Sequence, residues 1–241
     1  MKSESVIIKS DGHNLSGTII KPDGNEKIPA VVFYHGMISQ SKPRYIKRAE
    51  ELAKVGISSL CFDFRGCGES EGKLGELTLK DWLDDSILAF DYLINQEFVD
   101  KDRIGIMGKS FGGEMAALVA EKRNVRSIVL HAPAVYPDTW FDDKFTWDEE
   151  ISRKRKEYRN SEKALDNNAI RAIEKFKGSL LVVGSELDGT CPKTIVKGYY
   201  EQAGSTDKKI EWIKGADHPL KDEFHNHQLT KLMLDWFSKT L

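Results

Sequence analysis

Two stretches of this chain hold a serine between glycines at the spacing G-x-S-x-G. They are Gly108-Lys109-Ser110-Phe111-Gly112 and Gly68-Glu69-Ser70-Glu71-Gly72. A serine hydroxyl held out of a sharp strand-to-helix turn can attack a carbonyl carbon once a base removes its proton. Context separates the two stretches. The run Arg103-Ile104-Gly105-Ile106-Met107 ahead of the first reads as a strand. Gly113-Glu114-Met115-Ala116-Ala117-Leu118-Val119-Ala120 after it reads as a helix, so Ser110 stands where one hands over to the other. Ser70 lies in a loop of glycines and charged residues, with Gly75 soon after and no helix beginning at Glu71. Ser110 is therefore the expected nucleophile.

A base and a carboxylate must follow. The base is usually a histidine, whose tautomer the carboxylate fixes and whose cation it stabilises. In an open α/β sheet, such groups gather beyond the carboxyl ends of strands. Asp188 follows the run Leu180-Leu181-Val182-Val183-Gly184-Ser185-Glu186-Leu187, and Gly189 and Pro192 close its loop. His218 follows the strand pattern Ile210–Ile213 through Lys214-Gly215-Ala216-Asp217. The plainer reading of Asp188 is a turn aspartate capping the next helix, and that of His218 a surface loop histidine. Glu186 and Asp217 are the alternative acids, although Asp217 adjoins His218 and would point elsewhere. Two amide donors are needed for the oxyanion. The Phe111 N–H at a helix start and the Met37 N–H, in His35-Gly36-Met37 after Ala30–Tyr34, are the candidates.

Other reactive residues read more plainly. His35 is expected to brace the oxyanion loop. His131 ends a strand, where it either lines the pocket or packs. His225 and His227 lie two apart on a predicted helix, hence on different faces. Cys67 and Cys191 sit at no elbow and read as small packing residues. Arg153-Lys154-Arg155-Lys156 reads as a solvated helix face, with attraction of anionic substrates as the sharper alternative.

These side chains need a scaffold. Ser5–Lys9 and Leu15–Ile20 alternate and flank Ser10-Asp11-Gly12-His13-Asn14, a hairpin signal with Gly and Asn supplying the turn. Ala30–Tyr34 and Ile57–Phe64 are apolar on both faces, as strands inside a parallel sheet are. Pro43 to Val55 reads as a helix capped by Ser41 and ended by Gly56. Leu79, Leu83, Ile87, Phe90 and Ile94 share one helical face. Val125–Leu130, Leu180–Val183 and Ile210–Ile213 are further strands, with helices near Thr194–Gln202 and Glu223–Lys239. Strands alternating with helices predict an α/β fold: one domain over 1–241, a mostly parallel sheet with helices on both faces and the hairpin at one edge. Tyr136 to Glu162 breaks the alternation and is rich in charge and aromatics. It is expected to form a lid over about 134–163, after the sixth strand, with Trp140 and Phe141 facing substrate.

The 241 residues carry a net charge of -2. That charge suggests neither a nucleic acid nor an anionic membrane as partner. No apolar run is long enough to span a bilayer, and Met1-Lys2-Ser3-Glu4-Ser5 leads into a strand rather than a signal-peptide core. Three cysteines form no framework, so a reducing cytoplasm is expected.

The chain resembles the α/β-hydrolase family through several motifs in order. These are His35-Gly36, Asp63-Phe64-Arg65-Gly66-Cys67-Gly68-Glu69-Ser70, Gly108–Gly113, Gly184–Asp188 and Gly215-Ala216-Asp217-His218. The order Ser110, Asp188, His218 is that family's triad order. Its size, single insertion and His35-Gly36-Met37 loop look most like bacterial carboxylesterases of the cinnamoyl (feruloyl) esterase type. Cys67 departs from the residue common in its loop, and Asp217 stands where Gly or Ser is common. The resemblance implies a serine hydrolase of small carboxylic esters, working through an acyl-enzyme without metal or cofactor. A thioesterase, acyltransferase or small peptidase would use the same three residues, and a non-catalytic ligand-binding protein is the remaining alternative.

Overall fold

The N-terminal hairpin turns on two residues with positive φ, Asp11 at 43° and Gly12 at 77°. They link β1 (Lys2–Ser10) to β2 (His13–Lys21), with Ser10 paired to His13. Such a two-residue turn matches the twist of the strands it joins. The second turn residue expected from sequence, Asn14, instead pairs with Lys9 inside β2. The structure is a computed structural model that describes residues 1–24, 26–37, 42–146 and 148–241. The Ser41 cap and the lid aromatic Trp147 lie outside the described residues.

Six more strands complete the sheet: β3 (Ile28–Tyr34), β4 (Ser58–Phe62), β5 (Val99–Lys109), β6 (Ser127–His131), β7 (Ser179–Ser185) and β8 (Lys208–Ile213). Their spatial order is β1-β2-β4-β3-β5-β6-β7-β8, with β2 antiparallel to both neighbours and β4 to β8 parallel to β3 and to one another. This is the α/β architecture expected, with the hairpin at one edge.

Side-chain alternation divides the core in two. Ala30, Val32 and Tyr34 of β3 face one side, with Ile106 of β5 and Leu130 of β6. They are covered by α2 (Leu79–Ile94), α3 (Phe111–Lys122), α5 (Asn168–Lys175) and α6 (Lys193–Gln202). Val31, Phe33, Met107 and Val129 face the other side, under α1 (Lys42–Lys54) and α7 (Glu223–Thr240). A strand buried on both faces has no polar side to show, which is why these runs read as continuously apolar.

The segment after β6 folds into a 3₁₀ turn at Asp138–Trp140, a helix α4 (Glu149–Arg159) and a second 3₁₀ turn at Glu162–Leu165. Its first half is tied down to the body. The Phe141 carbonyl accepts from the Lys80 amide at 3.1 Å, the Phe145 amide donates to Leu77 O at 2.8 Å, and Asp138 Oδ1 accepts from the Asn168 amide at 2.9 Å. Among the described residues, no helix is long and apolar enough to cross a membrane.

Candidate active site

Close packing forces the turn after β5. A Cβ on Gly108 would stand 2.3 Å from Gly112 O, and one on Gly112 would stand 2.1 Å from Tyr34 O. Only glycine permits strand and helix to approach so closely. Between them Ser110 adopts φ 51° and ψ −116°, an uncommon conformation for a residue with a side chain. Hydrogen bonds hold it there: its amide donates to His131 O at 3.0 Å, and its carbonyl accepts from Ala134 N at 3.0 Å and Gly113 N at 2.9 Å. Ser110 thus projects its hydroxyl from the end of β5 at the N-terminus of α3.

The loops after β7 and β8 bring two partners to it. Ser110 Oγ lies 3.1 Å from His218 Nε2, and His218 Nδ1 lies 2.7 Å from Asp188 Oδ2. The pattern assigns the ring proton to Nδ1, donated to the carboxylate, and leaves Nε2 to accept from the serine. Asp188 does not cap the next helix, whose N-cap residue is Pro192. Its other oxygen, Oδ1, accepts from the amides of Thr190 at 2.7 Å and Cys191 at 2.8 Å, forming the turn that leads to α6. The alternative acids are engaged elsewhere: Glu186 accepts from Gly215 N at 2.8 Å and Asp217 from Lys221 N at 3.1 Å.

The oxyanion candidates flank this serine. Phe111 is the first residue of α3, where an amide has no acceptor within its own helix. Its ring is buried against Phe64 and Trp82, each with centroids at 5.4 Å. Met37 lines the cleft beside Gly36. His35 braces that loop, as expected: Nδ1 donates to Gly36 O at 2.8 Å and Nε2 accepts from the Phe64 amide at 3.0 Å. Burial holds its pKa below the usual histidine range.

The cleft has a volume of about 320 Å³. Beyond Gly36, Met37, Ser110 and His218, its lining comprises Lys109, Tyr136, Arg155, Arg159, Thr190 and Pro219. Three expected lining residues are elsewhere. His131 is wholly buried, with Nε2 3.1 Å from Ser185 Oγ, and burial drives its pKa well below the ordinary value. It packs behind the serine because the last residue of a central strand is covered by the elbow. Trp140 and Phe141 are half-buried and pack against the core cluster, because the hydrogen bonds at Phe141 and Asp138 draw that half of the insertion onto the body.

Sequence reasoning missed Lys109, Tyr136, Arg159, Thr190 and Pro219 as cleft residues. Lys109 and Pro219 carried a signal, each adjoining a triad candidate. Arg159 carried none, being one basic residue among many on a charged helix. Burial and the neighbouring Arg44 and Arg48 lower the Lys109 pKa to about 8.

Asp188, Cys191 and His218 are the one cluster among the described residues that could ligate a metal, with ligand atoms within 4.8 Å of one another. A metal there would compete with Ser110 for His218, and burial pushes the Cys191 thiol up to about 11, away from the thiolate a metal needs. The arrangement suits proton transfer from a serine better than ligation.

Known proteins agree with this architecture. Residues 44–241 match the model of the prolyl oligopeptidase family. An uncharacterized 31.7 kDa protein from the traX-finO intergenic region of Escherichia coli is 32% identical over 127 residues, 51% of this chain and 44% of that protein. Thiohydrolase aneE from Aspergillus aculeatus is 34% identical over 136 residues, 55% of this chain and 42% of that protein. The matched stretches span less than half the length of these curated relatives. Est1E from Butyrivibrio proteoclasticus, solved with ferulic acid, aligns with a TM-score of 0.75 at 21% identity over 97% of this chain and 99% of that chain. At that identity the likeness is one of fold. The family name points to peptidases where the sequence resemblance pointed to feruloyl-type carboxylesterases. Fold and matched family together place the chain among the α/β hydrolases, as a member of the prolyl oligopeptidase family.

Proposed function

We propose that this protein is a serine hydrolase that cleaves small carboxylic esters through an acyl-enzyme. The observation that carries the proposal is the continuous chain Ser110 Oγ, His218, Asp188, at 3.1 and 2.7 Å, on a serine held in a strained turn. His218 Nε2 takes the hydroxyl proton as Ser110 Oγ attacks the ester carbon. Asp188 stabilises the imidazolium that forms. The amides of Met37 and Phe111 receive the oxyanion. His218 then returns the proton to the departing alcohol, and water activated by the same nitrogen releases the acid. These steps call on side chains and amides alone.

The cleft volume favours a small-molecule substrate over a folded protein. No step involves a nucleic acid or a membrane. The three cysteines are buried and form no framework of disulfides, in keeping with a reducing compartment such as the cytoplasm.

A second reading keeps the chemistry and changes the bond. The matched family and the relative named as a thiohydrolase favour a peptide or thioester substrate. Matched oxygen ester, thioester and amide substrates decide between them through kcat/KM. The ester is expected to be cleaved faster than the amide. An amide preferred over its matched ester would replace the esterase reading with a peptidase.

A further inference from the structure

Three cationic side chains, Lys109, Arg155 and Arg159, reach the cleft that holds Ser110. The carboxylate of Asp188 is committed to His218 and to two amides. Arg159 closes α4 and is only 3% exposed. Its Nε donates to Val135 O at 3.2 Å and its Nη1 to Thr190 O at 3.3 Å, while its buried Nη2 has no hydrogen-bond partner within ordinary distance among the described residues. The guanidinium lies 4.8 Å from the centroid of the Tyr136 ring. Lys109 is 8% exposed, and its Nζ donates to Pro219 O at 3.4 Å. Among the described residues, neither Arg159 nor Lys109 forms an ion pair. Glu114 is the buried acid on the Arg159 side, and burial raises its pKa well above the ordinary glutamate value, which weakens it as a countercharge.

Buried cations without a countercharge are costly, and a guanidinium with a vacant N–H edge is shaped for an oxyanion. Carbonyl oxygens satisfy its geometry without neutralising it. The charge is complete only when an anion enters the cleft.

We infer that the cleft selects esters whose acid portion carries a second, free carboxylate, which Arg159 receives with help from Lys109 and Arg155. The inference rests on the hydrolase reading for its reaction and on the cleft alone for its anion. The segment expected to act as an aromatic lid thereby supplies charge: its first half packs on the body, and α4 brings arginines to the substrate.

Monomethyl glutarate and methyl pentanoate have acid portions of equal carbon number, differing in that free carboxylate. The hydrolase is expected to favour the first by about tenfold or more in kcat/KM, as a hydrogen bond to a charged group provides. In Arg159→Met this preference is expected to vanish while methyl pentanoate is still cleaved, a loss that general damage to the fold would not produce. Equal turnover of both esters by the wild type, or a preference retained in Arg159→Met, overturns the inference. Should Arg159→Met fail to fold, titration calorimetry of Ser110→Ala with glutarate and pentanoate decides: glutarate is expected to bind at least tenfold tighter, and equal binding refutes the subsite. The binding arm needs no turnover. Glutarate binding by a protein that cleaves no ester would sink the hydrolase reading and leave the anion site standing. Ester cleavage without glutarate selectivity would do the reverse.

Discussion

Asp188 divides its two oxygens between a turn and a histidine, and this division makes its substitution informative. In Asp188→Asn the side-chain carbonyl can still accept from Thr190 and Cys191, but the amide would donate toward His218 Nδ1. The imidazole would then carry its proton on Nε2, facing Ser110. Such tautomer reversal lowers kcat by about 10⁴-fold in a serine triad. We expect a loss of that order with the melting temperature nearly unchanged; a loss under tenfold would remove Asp188 from the mechanism. Lys109 gives a second test. Its pKa of about 8 in the fold lies below its unfolded value, through burial and the charges of Arg44 and Arg48, against the opposing pull of Asp188 and Asp217. The unfolded chain therefore binds more protons between pH 8 and 10.5, so this group lets stability rise across that window. Lys109→Met is expected to be more stable than wild type by up to about 3 kcal/mol near pH 7, with the difference shrinking toward pH 10. Urea midpoints at the two pH values measure it, and a difference independent of pH contradicts the assignment. The three residues joined around Ser110 are legible in sequence because each follows a strand and their chain order is distinctive. Arg159 is not, because its burial depends on where α4 docks.

The elbow is a contact between elements rather than a property of its own residues. Gly112→Ala would place a methyl 2.1 Å from Tyr34 O, driving α3 away from β3. We expect a loss of about 1–3 kcal/mol or more, together with displaced Ser110 chemistry. Gly75→Ala, with nothing within 4 Å of the added carbon, should change stability by less than about 0.5 kcal/mol. Chemical denaturation of the pair tests this, and equal effects would contradict the packing argument. Strands are legible in sequence because burial on both faces leaves only apolar residues from Ala30 to Tyr34. The helix α5 is not, because it spans only Asn168–Lys175 and follows a charged insertion that masks its pattern. Aromatic content misleads in the insertion for a related reason: Phe145 and Tyr136 are anchors, with centroids 5.7 Å apart, in a cluster that includes Trp82 and Phe111.

At the scale of the molecule, the chemistry sits beyond the carboxyl ends of the parallel strands, and the helical layers on both faces of the sheet support it. Phe237 on α7 is fully buried over Gly105, where an added Cβ would stand 2.7 Å from its ring. Phe237→Ala should cost about 3–5 kcal/mol of stability while leaving the ratio between ester substrates unchanged. A shift in that ratio would mean that packing beneath the sheet reaches the cleft. Ser110, Asp188 and His218, in the turn after β5 and the loops after β7 and β8, are far apart in sequence and meet only because parallel strands end together. The central claim is that their meeting activates the serine. Intact-mass spectrometry after treatment with a fluorophosphonate probe tests it most directly, on the wild type and on Ser110→Ala. One adduct on the wild type and none on the variant is the expected result. An adduct that persists in Ser110→Ala, or a wild type that takes none, would contradict it.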